Sequence, residues 1–231
     1  MKLSTGFIML IFVLFTTSLF AQTGNGSRNA GIIVNVSGGL NNAGLTHENT
    51  ISSFGPFDQA AINFAGGISA IYAHSSHYHF SAGLRYAKAG AKTQELTGTD
   101  DSGNQLGKYW FVRDLQFIEV PLLLMYQFNA SKIVPSIFIG PNIGFLLDAE
   151  EKIGSDYGAN PRKSNIKAKL NTFNLSAEVG IGLKYRLNDN TALGISTCYL
   201  YGLSNQVKDS AEGEQKTRDL RVFGSLYFSL R

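Results

Sequence analysis

Alternation of apolar and polar residues over long segments is the feature that most constrains how this chain folds. Between Phe173 and Tyr185, every odd-numbered residue is apolar, and every even-numbered residue is small, polar or charged. Successive side chains of a β-strand point to opposite faces. This pattern therefore predicts a strand that lies between two different environments.

The same pattern recurs along the chain and predicts eight strands, each of about 9–13 residues. The predicted strands are residues 32–40, 62–72, 78–86, 116–128, 135–147, 173–185, 191–203 and 219–230. Long connections (41–61, 93–108, 148–172 and 204–218) alternate with short ones (73–77, 129–134 and 186–190). An even number of strands with long loops at one rim and tight turns at the other is typical of barrels that cross outer membranes.

No later segment has the run of about 18 apolar residues that a membrane helix needs. A sheet can cross a bilayer only as a closed barrel, because an open edge leaves backbone groups unpaired in lipid. The sequence therefore predicts an all-β, eight-stranded antiparallel up-and-down transmembrane β-barrel. A water-soluble barrel would place its apolar face inside, but the face rich in Gly, Ala and Ser fits a narrow interior better.

The N-terminal residues differ in composition from the rest. Lys2 is followed by an apolar run and by Ala21, so residues 1–21 are expected to be a secretory signal peptide and residues 22–231 one barrel domain.

The chain has 20 Lys and Arg against 17 Asp and Glu, which gives no case for a nucleic-acid partner. Its lone cysteine, Cys198, excludes an internal disulfide and is interpreted as a small strand residue.

Five stretches carry a family resemblance: GIIVNVSGGLN (31–41), SAGLRYAKAGAK (81–92), FIEVPLLLMYQF (117–128), SIFIGPNIGFLL (136–147) and CYLYGLSN (198–205). They resemble the PorT-type outer-membrane β-barrel family of Bacteroidetes. The resemblance implies the bacterial outer membrane, with extracellular loops and periplasmic termini. Some members are linked to type IX secretion. Such barrels usually end on an aromatic residue, whereas this chain ends Phe228-Ser229-Leu230-Arg231, so its insertion signal is expected to be shifted or weakened.

Five charged residues fall on the polar face of their strands and are expected to point into one narrow lumen. They are Arg85, Glu119, Glu178, Lys184 and Arg221. An unpaired charge in such a place is costly, so these side chains are expected to form a structural network that plugs the barrel. The alternative is a gated ion path.

His79 and Ser81 suggest an enzyme, because outer-membrane lipid A deacylases of this size use a His-x-Ser dyad. A serine nucleophile needs an adjacent, oriented base. Here both residues lie on the lumen face beside a short turn, whereas lipid chemistry needs the outer face near the long loops. We therefore expect no enzyme activity, no catalytic residues and no cofactor.

Three histidines and a set of outward aromatic residues raise the questions of metal binding and lipid contact. His74, His77 and His79 span a turn and a strand, so no metal site is expected there. Outward aromatic residues fall near both strand ends and are interpreted as two girdles at the lipid headgroups. They are Tyr78, Tyr126, Phe128 and Tyr185 at the short-turn end, and Tyr86, Phe173 and Tyr201 at the other.

The loop 148–172 changes from acidic to basic and is either a solvated loop or a contact surface for lipopolysaccharide or a partner protein.

The leading hypothesis is a non-enzymatic barrel with a plugged lumen that presents extracellular loops or scaffolds envelope partners. Its expected partners are outer-membrane lipid and lipopolysaccharide, the barrel-insertion machinery, and envelope or secretion-system proteins. The alternatives are a type IX secretion component, a lipid A-modifying barrel enzyme and a narrow pore. The residues alone do not choose between a scaffold and a secretion component.

Overall fold

A computed structural model describes residues 31–48, 59–93, 95–99, 102, 105–128, 132–156, 162–208 and 214–230. These residues form ten strands and one short 3-10 helix, η1 (Lys167–Lys169). The strands are β1 (Ile32–Glu48), β2 (Gln59–Ala73), β3 (Tyr78–Lys92), β4 (Leu96–Thr99), β5 (Gln105–Gln127), β6 (Ile133–Ser155), β7 (Arg162–Asn165), β8 (Phe173–Arg186), β9 (Thr191–Gly202) and β10 (Glu214–Leu230).

Eight of these strands close into a ring. Each is hydrogen-bonded antiparallel to its neighbours in the order β5-β3-β2-β1-β10-β9-β8-β6, and a β5–β6 pairing joins the two ends. When the short β4 and β7 are left out, consecutive strands are neighbours in the ring, and the first and last strands, β1 and β10, pair to close it, so the topology is up-and-down. Ile32 at the start of β1 pairs with both Tyr72 and Leu230, which puts the beginning of β1 and the end of β10 at the short-turn rim. The predicted eight-stranded barrel is confirmed.

The two faces of the barrel divide as the alternation predicts. Large apolar side chains point outward and are exposed, with Ile139 and Ile181 both 59% accessible. Small, polar and charged side chains point inward and are buried. Soluble proteins rarely expose such a large continuous apolar surface. The outward face is therefore suited to lipid.

The strands extend further than predicted at the long-loop rim. Residues 105–115 of β5 and 148–155 of β6 are paired, although the alternation assigns 105–108 and 148–155 to connections and leaves 109–115 outside the predicted strands. β4 pairs with β5, and β7 pairs with β6. Together these four segments form a sheet beyond the apolar rows, which we call the projecting sheet. Its outward residues include an ion-paired Lys152 and Asp114, so no outward apolar row signals these strands in the sequence.

Aromatic rings lie at both edges of the outward apolar surface. Near the short turns, the Tyr126 ring centroid lies 5.3 Å from that of Tyr78 and 5.0 Å from that of Phe128, both edge to face. At the opposite edge, the rings of Phe145 and Phe173 meet at 6.1 Å. Tyrosine and phenylalanine at two levels fit the two water–lipid boundaries of a membrane barrel.

Adjacent glycines on β1 show how tightly the barrel is wound. A Cβ at Gly39 would lie 1.9 Å from the carbonyl oxygen of Val222, whereas one at Gly38 would meet only the Phe64 ring, at 3.8 Å. We expect Gly39→Ala to destabilise the barrel by about 1–3 kcal/mol, because two strands must move apart to admit the methyl group. Gly38→Ala is the control and should be almost neutral in the same urea titration. Equal midpoints for the two variants would contradict the close approach.

The predicted signal peptide, residues 1–21, lies outside the described residues. Within the part of the chain that the structure describes, no helix is long and apolar enough to cross a membrane.

Candidate functional site in the barrel lumen

Four of the five predicted lumen charges meet at one level inside the barrel. Arg85 comes from β3, Glu119 from β5, Glu178 from β8 and Arg221 from β10. Each belongs to the inward-facing set of its strand, and all four are buried. The alternation of side chains along each strand is what aims them at the same space.

Glu119 lies at the centre of this group. Its carboxylate accepts a hydrogen bond from Nε of Arg85 at 2.9 Å and two from the guanidinium of Arg221, at 2.6 and 2.8 Å. β5 and β10 stand four positions apart in a ring of eight. The bidentate contact between Glu119 and Arg221 therefore crosses the full diameter of the lumen.

Two further carboxylates complete the group. Arg85 donates to both oxygens of Glu178, at 2.6 and 3.3 Å. Arg221 donates to Asp219, two residues earlier on its own strand, at 2.6 Å. Asp219 was not among the predicted residues, although it lies on the same face as Arg221. We call these five residues the charge layer.

The energetics of the charge layer follow from its burial. The exposed fraction of each of these side chains is 8% or less. Buried charges are tolerated only when they are paired and hydrogen-bonded. The Asn142 amide oxygen, 3.5 Å from Arg85, and the Phe223 ring, 5.3 Å beneath the same guanidinium, provide further contacts. Removal of any one partner would leave an uncompensated charge in this space.

Lys184 does not join the charge layer, so this part of the prediction is wrong. Its ammonium donates to the Gln127 side chain at 3.0 Å and lies 5.8 Å from the centre of the Tyr227 ring. Lys184 follows Glu178 by six residues on β8, which is about 20 Å along a strand. It points into the lumen as predicted, but near the short-turn rim.

The lumen is closed a second time at the long-loop rim by an apolar cluster, which we call the mouth cluster. Strand residues contribute Ala43, Leu45, Ala89, Ala91, Phe111, Leu115, Phe117, Leu146 and Ala149, and connecting segments contribute Ile166, Leu170 and Val207. Leu170 and Val207 form a backbone bridge that joins the β6–β8 and β9–β10 connections. The segment 148–172 is therefore not a wholly solvated loop, since it continues β6, forms β7 and η1, and sends two apolar side chains into the mouth.

A cavity of about 80 Å³ lies beside the charge layer. Its lining includes Arg85, Glu178, Tyr227 and several serines. One water molecule occupies about 30 Å³ of liquid. The cavity therefore has the size and polarity to hold a few waters.

The three histidines near the short turns, His74, His77 and His79, make separate contacts. His79 points into the lumen, and neither of its ring nitrogens has a hydrogen-bond partner, so the His79–Ser81 dyad is not assembled. His77 instead stacks on Tyr126, with ring centroids 5.5 Å apart, and the His74 ring lies 6.2 Å from that of Phe80. No group of three His, Cys, Asp or Glu among the described residues is arranged to hold a metal ion.

Comparisons with known proteins agree with this architecture. The profile of the outer membrane protein beta-barrel domain matches residues 20–207. No curated protein is similar enough in sequence to count as a relative.

Solved structures with a similar fold include small outer-membrane proteins. Neisserial surface protein A is 13% identical, with 85% of this chain and 97% of that chain covered and a TM-score of 0.45. OprG of Pseudomonas aeruginosa is 12% identical, with 89% and 98% covered and a TM-score of 0.47. Outer membrane protein W of E. coli is 15% identical, with 87% and 100% covered and a TM-score of 0.43. Because the family profile spans most of the sequence, this chain belongs to the outer membrane protein beta-barrel domain family, and its place is the bacterial outer membrane.

Proposed function

We propose that this protein is a closed, non-conducting and non-enzymatic barrel that anchors a rigid surface at the outside of the cell and scaffolds envelope partners there. The observation that carries the proposal is the double closure of the lumen. The charge layer crosses the interior from wall to wall, and the mouth cluster fills its long-loop end. An eight-stranded barrel has little interior space beyond its side chains, which supports a plug rather than a channel.

The proposed working surface is the long-loop rim. The projecting sheet lies there, and ion pairs fix its side chains, including Arg113 with Glu151 at 2.8 Å. Both termini of the barrel belong to the opposite rim. This matches the usual arrangement of outer-membrane barrels, in which short turns face the periplasm and long loops face outward. A surface built on paired strands presents its side chains with little conformational freedom, as a scaffold requires.

Conductance measurements test the closed lumen. We expect the purified barrel in a planar bilayer to give no current steps above those of the protein-free bilayer, because the charge layer and the mouth cluster both occupy the lumen. Protein recovered from the same bilayers or proteoliposomes should show heat-modifiable migration on gels, which demonstrates that folded barrels were present. Steady, ion-selective steps from folded wild-type protein would establish a pore instead.

The non-enzymatic part of the proposal rests on the placement of His79 and Ser81. Both are buried on the lumen side near the short turns, away from the lipid-facing surface on which lipid A would lie. A nucleophile without an adjacent base is not activated. Unchanged lipid A mass spectra between wild type and Ser81→Ala would support this assignment, and a lost modification would make the protein an enzyme.

The resemblance to PorT-type barrels of Bacteroidetes supports a second candidate, a component of type IX secretion. One of the stretches that carry this resemblance, residues 117–128, contains Glu119, which lies at the centre of the charge layer. Deletion of the gene should then block export of proteins that carry the type IX C-terminal signal. Normal export in the deletion strain would leave the scaffold as the remaining proposal.

A further inference from the structure

The charge layer contains more acidic than basic groups. Its three acidic side chains, Glu119, Glu178 and Asp219, share the two guanidinium groups of Arg85 and Arg221. If all three acids were ionised, the layer would carry one excess negative charge in the interior of the barrel. An uncompensated buried charge is so costly that the group is usually neutralised instead. The charge layer therefore needs one more positive charge.

Other cations on the inward-facing rows have partners of their own. Lys184 donates to Gln127 and lies six residues along β8 from Glu178. Arg113 lies six residues along β5 from Glu119 and donates to Gln215 at 2.7 Å and to Glu151 at 2.8 Å. Six strand residues span about 20 Å. These two cations are therefore too far along their strands to balance the charge layer.

The excess charge falls on Asp219. Glu119 accepts three hydrogen bonds from the two arginines, and Glu178 accepts one on each oxygen from Arg85. Asp219 accepts one from Arg221, at 2.6 Å through Oδ2. Its Oδ1 is buried and has no hydrogen-bond partner in the part of the chain that the structure describes. Asp219 is thus the acid with the fewest donors and the one that gains most from a proton.

A second buried oxygen beside Asp219 also lacks a donor. Asn41 lies opposite Arg221 on β1, is 0% exposed and contacts the Asp219 side chain. Its amide nitrogen donates to the Lys88 carbonyl at 2.7 Å, whereas its Oδ1 has no partner within the described ranges. A water molecule would satisfy these two oxygens without removing the charge. A proton on Asp219 removes the charge and also supplies an O–H donor.

The groups around Asp219 leave the proton as the missing positive charge. Glu119 and Glu178 already balance the two guanidinium groups. Hard metal cations bind several oxygen ligands at once, whereas Asp219 and Asn41 together offer two. The charged and titratable groups that face this space are Arg221 on β10, Glu119 on β5, Arg85 on β3, Glu178 on β8 and, on β9, the Cys198 thiol that contacts Glu178.

We propose that Asp219 is a buried proton-binding site and that the folded barrel holds it as a neutral carboxylic acid at neutral pH. Asp219 takes the proton from water as the barrel closes around it. Its Oδ1 carries the hydrogen, and its Oδ2 keeps the hydrogen bond from Arg221. The charge layer then contains two arginines and two carboxylates, and its net charge is zero. This inference depends on the charge layer alone and not on what the long-loop rim binds.

A buried proton makes the stability of the barrel depend on pH. An aspartate in an unfolded chain loses its proton near about pH 4. Above that pH, the folded barrel keeps a proton that the unfolded chain has released, so rising pH favours unfolding. The unfolding equilibrium constant should rise about tenfold per pH unit from this one group. Asp219→Asn has the shape of the neutral acid and removes this dependence, since no charge is left unpaired.

Urea titrations in micelles at a series of pH values test the site. Near about pH 4, Asp219→Asn and the wild type should have the same midpoint. At neutral pH the variant should be the more stable, and the ratio of the two unfolding constants should grow about tenfold per pH unit between. Asp156→Asn, at an exposed aspartate, is the control and should follow the wild type throughout. An Asp219→Asn variant that is less stable than the wild type at every pH would overturn the proposal.

Infrared difference spectra read the proton directly. In a detergent without carbonyl groups, the wild type and Asp156→Asn at neutral pH should show a carboxylic acid carbonyl band that shifts in D₂O, and Asp219→Asn should lack it. Heat-modifiable migration confirms that each sample is folded. Absence of the band from the wild type would overturn the proposal. If, in addition, wild-type stability fell when choline chloride replaced sodium chloride at equal ionic strength, a sodium ion would hold the place assigned to the proton.

Discussion

Arg221→Gln is expected to be the most destabilising single substitution in the barrel, lowering the free energy of unfolding by about 3–5 kcal/mol. The Arg221 side chain is 1% exposed and donates to Glu119 and Asp219 on its two terminal nitrogens. Without Arg221, the charge layer keeps one arginine, Arg85, to balance three buried acidic side chains. The contact that joins opposite walls of the barrel is also lost.

Arg218→Gln is the matched control, because Arg218 lies on the same strand but points outward. Its guanidinium rests 5.3 Å from the centre of the Tyr201 ring, a contact worth about 0.5–1 kcal/mol at an exposed site. Urea titrations of the two variants in micelles, read by gel migration, give the comparison. Adding Glu119→Gln to Arg221→Gln should recover part of the loss, since it removes a carboxylate that has lost its partner. Equal stability of the Arg221 and Arg218 variants would show that the charge layer has no structural role.

The ring of strands and the direction of each side chain could be predicted because they depend on local information. A strand alternates its side chains whatever its partners are, so the odd residues of 173–185 face outward and the even ones inward without any knowledge of the rest of the fold. The alternating lengths of the connections then place neighbouring strands side by side. These two local properties determine the barrel.

Height within the lumen could not be predicted in the same way. Alternation assigned Lys184 and Glu178 to one face, yet they lie at different levels because six strand residues separate them. Asp219 was omitted from the predicted lumen charges, although it belongs to the charge layer. It shares the face and the level of Arg221, and counting every charge of the inward set, including those at the end of a predicted strand, would have included it.

The closure of the mouth depends on contacts between segments that are distant in sequence. Ile166, Leu170 and Val207 stand among polar residues and show no periodicity, so they resemble isolated apolar residues of a loop. They are buried because the extended strands bring the two connecting segments over the opening. The outward polar residues of these extensions, such as Asp114, likewise conceal the strands on which they lie.

Ile181→Arg tests whether the apolar rows of the strands face the lipid. Ile181 is 59% exposed and lies between Ile137 on β6 and Thr197 on β9. It is near the middle of the β8 row, where an arginine facing the lipid costs about 2–4 kcal/mol. We expect the variant to fold into vesicles in markedly lower yield than the wild type, as measured by heat-modifiable migration.

Two controls separate the cost of lipid exposure from the cost of changing the strand. Gly182→Ala adds a methyl group at the next residue of β8, which faces inward. This methyl group would lie 3.0 Å from the Ser136 hydroxyl oxygen, which can rotate away. The variant should therefore fold almost normally. Ile133→Arg makes the same substitution at the short-turn end of the outward row of β6, where Ile133 is 55% exposed and pairs with Tyr185, and the cost there should fall to about 0–1 kcal/mol. If Ile181→Arg folded as well as Ile133→Arg, the outward face would not be in contact with lipid. A loss confined to Ile181→Arg would locate the hydrocarbon at the middle of β8, between the two rings of aromatic residues.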